Sequence, residues 1–276
     1  MKRVLITGSG GFLGGHLLSM LRDEMYDVVE LRSPHAFSTE SNIFYSIESL
    51  RVQHPSFDVI FHLAAFIPYG AMNQPDERLQ RVNVDLTNEL LTAFPNARFI
   101  YASSVAVFGC DAQQPLTVQS APKNVDLYGL SKATAEELVR QTHAFAIVRF
   151  SSIIGPGMKP VSMIPKMVNQ AKTESRITVY GDGSRLQNYL DVRDAAQLLT
   201  LVAKSTENIM MLGVSPREYS NVQVAAIISD LTGASLAFEG TDTAVGFRYD
   251  DHTMHQHIGF KTKFDLTETI RDIIAS

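Results

Sequence analysis

Thr7-Gly8-Ser9-Gly10-Gly11-Phe12-Leu13-Gly14 lies between a short apolar run, Val4–Thr7, and a predicted helix over Gly15–Leu21. The glycines let the backbone turn tightly and approach a pyrophosphate, whose charge would meet the free amide groups at the start of the helix. A glycine-rich loop alone is a weak signal, but its position between a strand and a helix makes it specific. We therefore predict a dinucleotide-binding loop. The residues expected to contact the dinucleotide here are Gly8, Gly11, Phe12, Leu13 and Gly14.

Short β-branched or aromatic runs alternate with helical stretches through the first two thirds of the chain. Near-continuous apolar strands of this kind suit a parallel sheet that is covered on both faces. Asp76–Phe94, for example, has the apolar spacing of one amphipathic helix. The predicted strands are Val4–Thr7, Asp27–Leu31, Asp58–His62, Arg98–Ser103, Ala144–Phe150 and Ile209–Leu212. The fold class predicted from this alternation is α/β, a Rossmann-type doubly wound parallel sheet.

The regular alternation ends at Gly155-Pro156-Gly157, and a mixed pattern follows. We predict that residues 1–152 and 188–212 form the dinucleotide-binding domain. Residues 153–187 and 213–276 would then form a smaller, interleaved substrate lobe in the C-terminal half.

The composition excludes several classes of protein. Of the 276 residues, 45% are hydrophobic, which is enough to form a core and excludes a disordered chain. The 24 basic residues are outnumbered by 29 acidic ones, so we expect no nucleic-acid partner. No apolar run approaches the roughly 20 residues of a membrane span, and no apolar leader precedes the first strand. The single cysteine, Cys110, fits a reducing compartment, so we expect a cytoplasmic protein with no membrane partner.

The end of the second strand bears on which dinucleotide is bound, because an acidic residue there would bind a ribose 2′-hydroxyl. The strand Asp27–Leu31 is followed by Arg32, whose guanidinium suits a 2′-phosphate instead. A register two residues shorter would place Glu30 at the tip. The sequence favours NADP over NAD and keeps NAD as the alternative.

Two further motifs carry acid–base chemistry. Tyr128-Gly129-Leu130-Ser131-Lys132 places a phenol and an ammonium group on one face of a helix. The phenol pKa must fall by about three units to exchange protons freely at neutral pH, and a fixed lysine charge, helped by an oxidised nicotinamide ring, can lower it. Ser103 and Ser104 follow the strand Arg98–Ala102, where α/β sheets bind ligands, so a serine hydroxyl can reach a substrate oxygen there.

With these motifs in order, the chain resembles an extended short-chain dehydrogenase/reductase of the nucleotide-sugar epimerase/dehydratase type over essentially its whole length. The matching segments, all at family-like spacing, are Thr7–Gly14, His62-Leu63-Ala64-Ala65, Asn83, Ser103–Gly109, Tyr128–Lys132, Arg149–Gly157, Gly181-Asp182-Gly183 and Val192-x-Asp194.

The resemblance implies a role for each matched residue. Tyr128 would be the general acid/base, Lys132 would modulate its pKa and anchor the cofactor ribose, and Ser104 would polarise the substrate carbonyl. The backbone around Leu63, Ala64 and Ala65 would lie along the cofactor, and Asn83 would support the site without contacting the substrate. The resemblance also implies a homodimer through the helices predicted at Asp76–Phe94 and Tyr128–Gln141.

The chain departs from the family pattern on the substrate side. Ser152 stands where many members have an asparagine that contacts the substrate, and Gln187 stands where an arginine commonly binds the diphosphate. Asn188 replaces a frequent aspartate, and Arg185, two positions before Gln187, is a second candidate for the phosphate. We expect the substrate to contact Ser104, Ser152, Arg185 and Gln187.

The resulting hypothesis is an oxidoreductase that reduces the keto group of a nucleotide-activated deoxysugar with NADPH. An epimerase that retains NAD is the nearest alternative, and a non-catalytic NADP-sensing protein is an alternative of another class. The histidines of the segment 252–257 match no recognised zinc spacing, so we predict no metal site.

Overall fold

The computed structural model describes residues 1–33 and 42–276. The strands are β1 (Arg3–Thr7), β2 (Asp27–Leu31), β3 (Ile43–Phe44), β4 (Val59–His62), β5 (Arg98–Ser104), β6 (Phe145–Phe150), β7 (Ser152–Ile154), β8 (Arg176–Tyr180), β9 (Leu186–Asp191), β10 (Ile209–Gly213), β11 (Glu218–Ser220) and β12 (Ser235–Glu239). The α-helices are α1 (Phe12–Asp23), α2 (Ile47–Gln53), α3 (Glu77–Gln80), α4 (Leu86–Ala93), α5 (Leu127–Arg140), α6 (Met163–Glu174), α7 (Val192–Lys204), α8 (Asn221–Thr232), α9 (His252–His257) and α10 (Leu266–Ala275). Within these two stretches of chain, no helix is long and apolar enough to span a membrane.

A seven-stranded parallel sheet in the order β10-β6-β5-β4-β1-β2-β3 forms the centre of the molecule. Its inner strands are apolar on both faces because helices cover both sides. Buried side chains of α1 and α7 pack on one face, and those of α2, α4 and α5 pack on the other. The predicted doubly wound α/β fold is therefore confirmed. The strand order reverses between β1 and β4, and ligands of such sheets bind outside this point, at the carboxyl ends of the strands.

A smaller lobe stands beside the carboxyl ends of the sheet strands. Its two sheets are β11-β9-β7 and the parallel pair β12-β8. Apolar side chains of α6, α8 and α10 form its separate core. Strand β9 crosses the boundary that we placed between residues 187 and 188, and the division into two domains stays a prediction.

The chain passes from the lobe back to the central sheet through α7. The Asp194 carboxylate, fully buried in α7, accepts backbone N–H groups from Lys263 at 3.0 Å and from Phe264 at 3.2 Å. These bonds fix the C-terminal segment against the helix that covers the sheet, so the two parts of the molecule are joined by charge-assisted contacts as well as by the chain.

Three predicted boundaries are wrong. The continuous helix over Asp76–Phe94 is interrupted by a π-turn at Arg81–Asp85, because an extra residue in the turn directs Asn83 toward the loop after β4. The first helix begins at Phe12 rather than Gly15, directly on the glycine-rich loop. Strand β5 ends at Ser104, one residue beyond the predicted strand Arg98–Ser103, so both serines belong to it rather than following it.

Candidate active site

A cleft of about 1380 Å³ lies between the carboxyl ends of the central strands and the small lobe. Its floor is the glycine-rich loop after β1 together with the segments that follow β4 and β5. Its walls come from the start of α5 and from β7 and β9 of the lobe. The position is the switch point of the sheet, where a dinucleotide and a substrate can meet.

The glycine-rich loop has no room for side chains where it meets the strand ends. Gly8 has a φ of +73°, and a Cβ there would lie 2.7 Å from the Ala64 amide nitrogen. A Cβ on Gly14 would overlap the Gly8 carbonyl oxygen. Helix α1 has no acidic residue in its first turn, so its free amides and positive dipole end face the loop without competition. This cradle fits the pyrophosphate of a dinucleotide.

The remaining loop residues predicted to contact a cofactor are close by. Phe12, Leu13, Leu63 and Ala65 line the cleft. The Ala64 amide instead donates to Thr7 Oγ1 at 3.2 Å, which holds the chain after β4 against the end of β1.

Arg32 lies at the tip of β2, beside the glycine-rich loop. Its Nε is 3.3 Å from Ser9 Oγ and 2.9 Å from a Glu30 carboxylate oxygen. Glu30 is 1% exposed and also accepts from Arg22 at 3.1 Å. The register β1–β2 ends at Thr7 and Leu31, so Arg32 rather than Glu30 stands at the strand end.

Ser104 and Tyr128 meet in the cleft next to this loop. Ser104 Oγ accepts the Ala106 amide at 3.1 Å and so caps the short 3₁₀ turn Val105–Phe108. Burial raises the pKa of Tyr128 to about 12, while hydrogen bonding from Ser104 opposes the rise. In the chain alone, removal from water disfavours the phenolate more than Ser104 favours it. The expected fall in the Tyr128 pKa, which depends on the oxidised nicotinamide ring as well as on Lys132, stays a prediction.

Lys132 is fully enclosed one turn after Tyr128. Its Nζ donates to the Ala102 carbonyl oxygen at 2.7 Å and lies 4.2 Å from the centre of the Tyr101 ring. Burial lowers the pKa of Lys132 to about 7, and the nearby Glu136 carboxylate opposes this shift. The sequence motif located Lys132, but its contacts with β5 were not foreseen.

A buried ion pair behind these residues was missed by the sequence analysis. Arg149 of β6 donates from Nε to Glu136 Oε1 at 3.0 Å and from Nη2 to Glu136 Oε2 at 2.7 Å, which joins it to α5. The same carboxylate accepts the Ser103 hydroxyl at 2.5 Å. The helix that carries Tyr128 and Lys132 is therefore fixed to the strand that ends at Ser104.

Asn83, in the π-turn, holds two further parts of the site together. Its Oδ1 accepts the Phe66 amide at 2.7 Å, and its Nδ2 donates to Ser131 Oγ at 2.9 Å. Asn83 thus joins the segment after β4 to α5, and π-turns inside helices frequently occur at functional sites.

The lobe side of the cleft carries the residues predicted to bind the substrate. Ser152 and Gln187 line the cleft, and Gln187 Nε2 donates to Asn221 Oδ1 at 2.8 Å. Arg185 is not among the lining residues, since its guanidinium turns to Asp242, 3.3 Å away. Tyr189, which the sequence analysis did not single out, lines the cleft with a buried hydroxyl that has no hydrogen-bond partner in the described parts of the chain.

Two histidines of α9 contact neighbouring protein groups. His255 Nε2 is 2.9 Å from the Leu212 carbonyl oxygen, and His257 Nε2 is 3.0 Å from Glu207. Over the residues that the structure describes, no three potential ligands gather as a metal site.

The parallel sheet, the loop at its switch point and the Tyr128–Lys132 pair together define the class of the extended short-chain dehydrogenase/reductases. Comparison with known families gives the finer assignment. Residues 4–213 match the NAD dependent epimerase/dehydratase family, and the chain belongs to that family.

Individual relatives are distant. YtcB of Bacillus subtilis (strain 168), an uncharacterized UDP-glucose epimerase, is 26% identical over 282 residues, which cover 88% of this chain and 86% of that protein. The GDP-6-deoxy-D-talose 4-dehydrogenase of Aggregatibacter actinomycetemcomitans is 24% identical over 95% of this chain and 89% of its own length. The structure of MoeE5 in complex with UDP-glucose and NAD superposes with a TM-score of 0.84 at 23% identity, covering 99% of this chain and 97% of that one.

The family resemblance found in the sequence is confirmed, and the chain is an enzyme of the kind that uses a nicotinamide dinucleotide. At 23% identity the structural likeness shows the fold alone. The reaction and the substrate therefore have to be argued from the site.

Proposed function

We propose that the enzyme reduces the keto group of a nucleotide-linked deoxysugar with NADPH. The observation that carries the proposal is the meeting of Ser104 and Tyr128 at the cleft, with Lys132 one helical turn behind. The dinucleotide, when bound, supplies hydride to the carbonyl carbon.

The protein residues supply the proton and the charge stabilisation. The Tyr128 phenol is protonated at neutral pH because burial raises its pKa to about 12, so it is ready to give its proton to the carbonyl oxygen. The Ser104 hydroxyl donates a hydrogen bond to the same oxygen as negative charge develops there. Lys132, which lines the cleft, would bind the cofactor ribose and hold positive charge beside Tyr128. The product is the corresponding alcohol.

Arg32 supports NADP as the cofactor. A guanidinium at the tip of β2 can donate charge-assisted hydrogen bonds to a 2′-phosphate, whereas the neighbouring carboxylate of Glu30 is buried and bound to two arginines. NAD, which the solved relative MoeE5 holds, is the alternative cofactor.

The lobe side supports an oxygen-rich substrate. Ser152 and Gln187 offer neutral hydrogen-bonding groups along one wall of the described part of the cleft. We propose that Ser152 and Gln187 bind the sugar or its phosphate and that Arg185 reaches the phosphate by leaving Asp242. The predicted homodimer remains a prediction.

An epimerase that retains NAD is the second candidate, and the epimerase relative at 26% identity favours it. Such an enzyme would oxidise and then reduce one carbon, with no net consumption of cofactor. A non-catalytic NADP sensor is a weaker fit, because the chain keeps Ser104, Tyr128 and Lys132 together.

The test is mass spectrometry of the nucleotide released when the purified protein is denatured in acid, followed by NADPH oxidation assays on 4-keto nucleotide sugars. NADP or an empty site, with substrate-dependent NADPH oxidation, supports the reductase. Near-stoichiometric NAD, with product formed and no cofactor consumed, would establish the epimerase and remove the argument from Arg32.

A further inference from the structure

Lys132 is enclosed by aromatic and backbone groups rather than by a carboxylate. Only 2% of the residue is exposed, and its Nζ has the Ala102 carbonyl oxygen at 2.7 Å and the Tyr101 ring centre at 4.2 Å. The nearest acid, Glu136, is committed to Arg149. An ammonium over a ring face in a desolvated site is a strong cation–π geometry.

The Tyr101 ring is itself fixed from the neighbouring strand. His62 and Tyr101 are register partners on β4 and β5, so they lie on the same face of the sheet. Their rings stack with centroids 5.6 Å apart and planes 28° apart. These contacts restrict the Tyr101 ring to one orientation, in which the face of the ring points toward Lys132.

His62 is held by two threonines, and their hydrogen bonds define its tautomer. Thr7 Oγ1 lies 2.7 Å from His62 Nδ1 and donates to it, because the neutral ring carries its one proton on Nε2. Thr87 Oγ1 donates to the Asn83 carbonyl and therefore accepts from His62 Nε2, at 2.9 Å. The imidazole is neutral, in agreement with the lowering of its pKa to about 3 by burial and by Lys132. His62 thus adds no positive charge near Lys132.

We propose that Tyr101 is a positioning residue for Lys132, whose ammonium is held by the face of the ring so that one N–H points into the cleft. The inference rests on the proposed function, in which Lys132 binds the cofactor ribose. The Tyr101 hydroxyl takes no part, because it is buried without a hydrogen-bond partner among the described residues. Thr7, which bonds to His62, directly precedes Gly8 of the glycine-rich loop. The stacked rings of His62 and Tyr101 therefore connect that loop to Lys132.

The groups that face Lys132 are few in the described structure. Glu136 on α5 favours the charged form, His62 on β4 is neutral, and Tyr128 and Tyr101 are protonated phenols at neutral pH. The ring face is therefore the main group on β5, besides the Ala102 carbonyl, that favours the ammonium.

The test replaces Tyr101 by phenylalanine carrying zero, one, two or three ring fluorines, which withdraw electrons from the ring face with little change in size. Two quantities are measured without substrate: the titration of Lys132 by carbon NMR of ε-labelled lysine, assigned with Lys132→Met, and NADPH affinity by fluorescence. The same fluorinated series at Phe99, a buried neighbour on β5 that contacts the His62 ring, is the matched control.

We expect plain Tyr101→Phe to match the wild type. Each added fluorine should then lower the Lys132 pKa and weaken NADPH binding, by roughly tenfold for three fluorines, while the Phe99 series changes either quantity by less than about twofold. Unchanged Lys132 titration across the Tyr101 series, or a full loss in Tyr101→Phe, would overturn the proposal. If the Lys132 pKa falls across the fluorinated series but the enzyme reduces no keto sugar, the proposed reaction is wrong and the positioning role of Tyr101 is still supported.

Discussion

Arg32 Nη2 lies 2.7 Å from a carboxylate oxygen of Glu30, so an ion pair with a buried carboxylate fixes the guanidinium at the end of β2. The contact fixes the side chain beside Ser9 of the glycine-rich loop. Glu30 also binds Arg22, so two guanidinium groups share one buried carboxylate. The proposed NADP preference rests on Arg32, whose guanidinium would donate charge-assisted hydrogen bonds to a 2′-phosphate.

Replacing Arg32 by serine should therefore change cofactor preference. We expect Arg32→Ser to weaken NADPH binding by about 10- to 100-fold, the effect of one or more charge-assisted hydrogen bonds, with NADH affinity nearly unchanged. Calorimetric titration with both dinucleotides measures the ratio. Arg22→Ser is the matched control, since it shares the Glu30 carboxylate but lies in the last turn of α1. Equal losses for the two dinucleotides would contradict an NADP site.

Removing the Tyr128 hydroxyl should reduce turnover while leaving NADPH affinity nearly unchanged. Tyr128→Phe removes the proposed proton donor, and we expect turnover to fall by about 10²- to 10⁴-fold. NADPH affinity should stay within about twofold, because the ring and its packing remain. Initial rates and fluorescence titration on the same preparation provide the comparison. Full activity in Tyr128→Phe with an identified substrate would show that another group donates the proton.

The charge on Lys132 should make the stability of the protein depend on pH. Burial lowers its pKa from 10.5 to about 7, so between these values the unfolded chain binds more protons and stability rises with pH. Lys132→Met removes this penalty. We expect the variant to be more stable than the wild type below pH 7, by up to roughly 4 kcal/mol, with the difference fading toward pH 10.

Urea denaturation at several pH values measures that difference. Lys172→Met, on the exposed side of α6, is the control and should show no trend with pH. A constant difference for Lys132→Met would mean that Lys132 is as readily protonated in the folded chain as in water.

The unpartnered hydroxyl of Tyr189 should be dispensable for folding. Tyr189→Phe loses no hydrogen bond to the described chain, so we expect its free energy of unfolding to be unchanged or higher by up to about 1 kcal/mol. Thr87→Val, which removes a buried hydroxyl bonded to His62 and to the Asn83 carbonyl, should instead cost about 1–3 kcal/mol. If Tyr189→Phe destabilised the protein as much as Thr87→Val, the hydroxyl would have a partner after all.

Local patterns predicted the parts of the site that lie close in sequence. The loop at residues 7–14, the tip of β2 at Arg32 and the Tyr128–Lys132 spacing each depend on a strand or helix whose period is visible in one short stretch. The π-turn at Arg81–Asp85 was not predictable in this way, because one extra residue leaves the apolar spacing nearly helical. Its cause is tertiary, namely the bonds of Asn83 to Phe66 and Ser131.

Contacts between distant segments were beyond sequence reasoning. Glu136 and Arg149 are ordinary charged residues on a helix and a strand, and only the packing of α5 on β6 makes them a buried pair. The same holds for the fall in the pKa of Lys132 and the rise for Tyr128, which depend on how completely the cleft walls exclude water. Spacing identifies the two residues, and burial sets their protonation.

Strand β10 is synthesised well after β6, its neighbour in the central sheet, and this order affects the protein during synthesis. Strand β6 pairs with β10, yet the ribosome makes the first strands of the lobe between Phe150 and Gly213. At about 5–20 residues per second, the nascent chain carries β6 as an open edge for several seconds. An unpaired edge can join a strand of another chain. Until β10 has been made, β6 is therefore the edge of the sheet at which pairing with another chain would compete with folding.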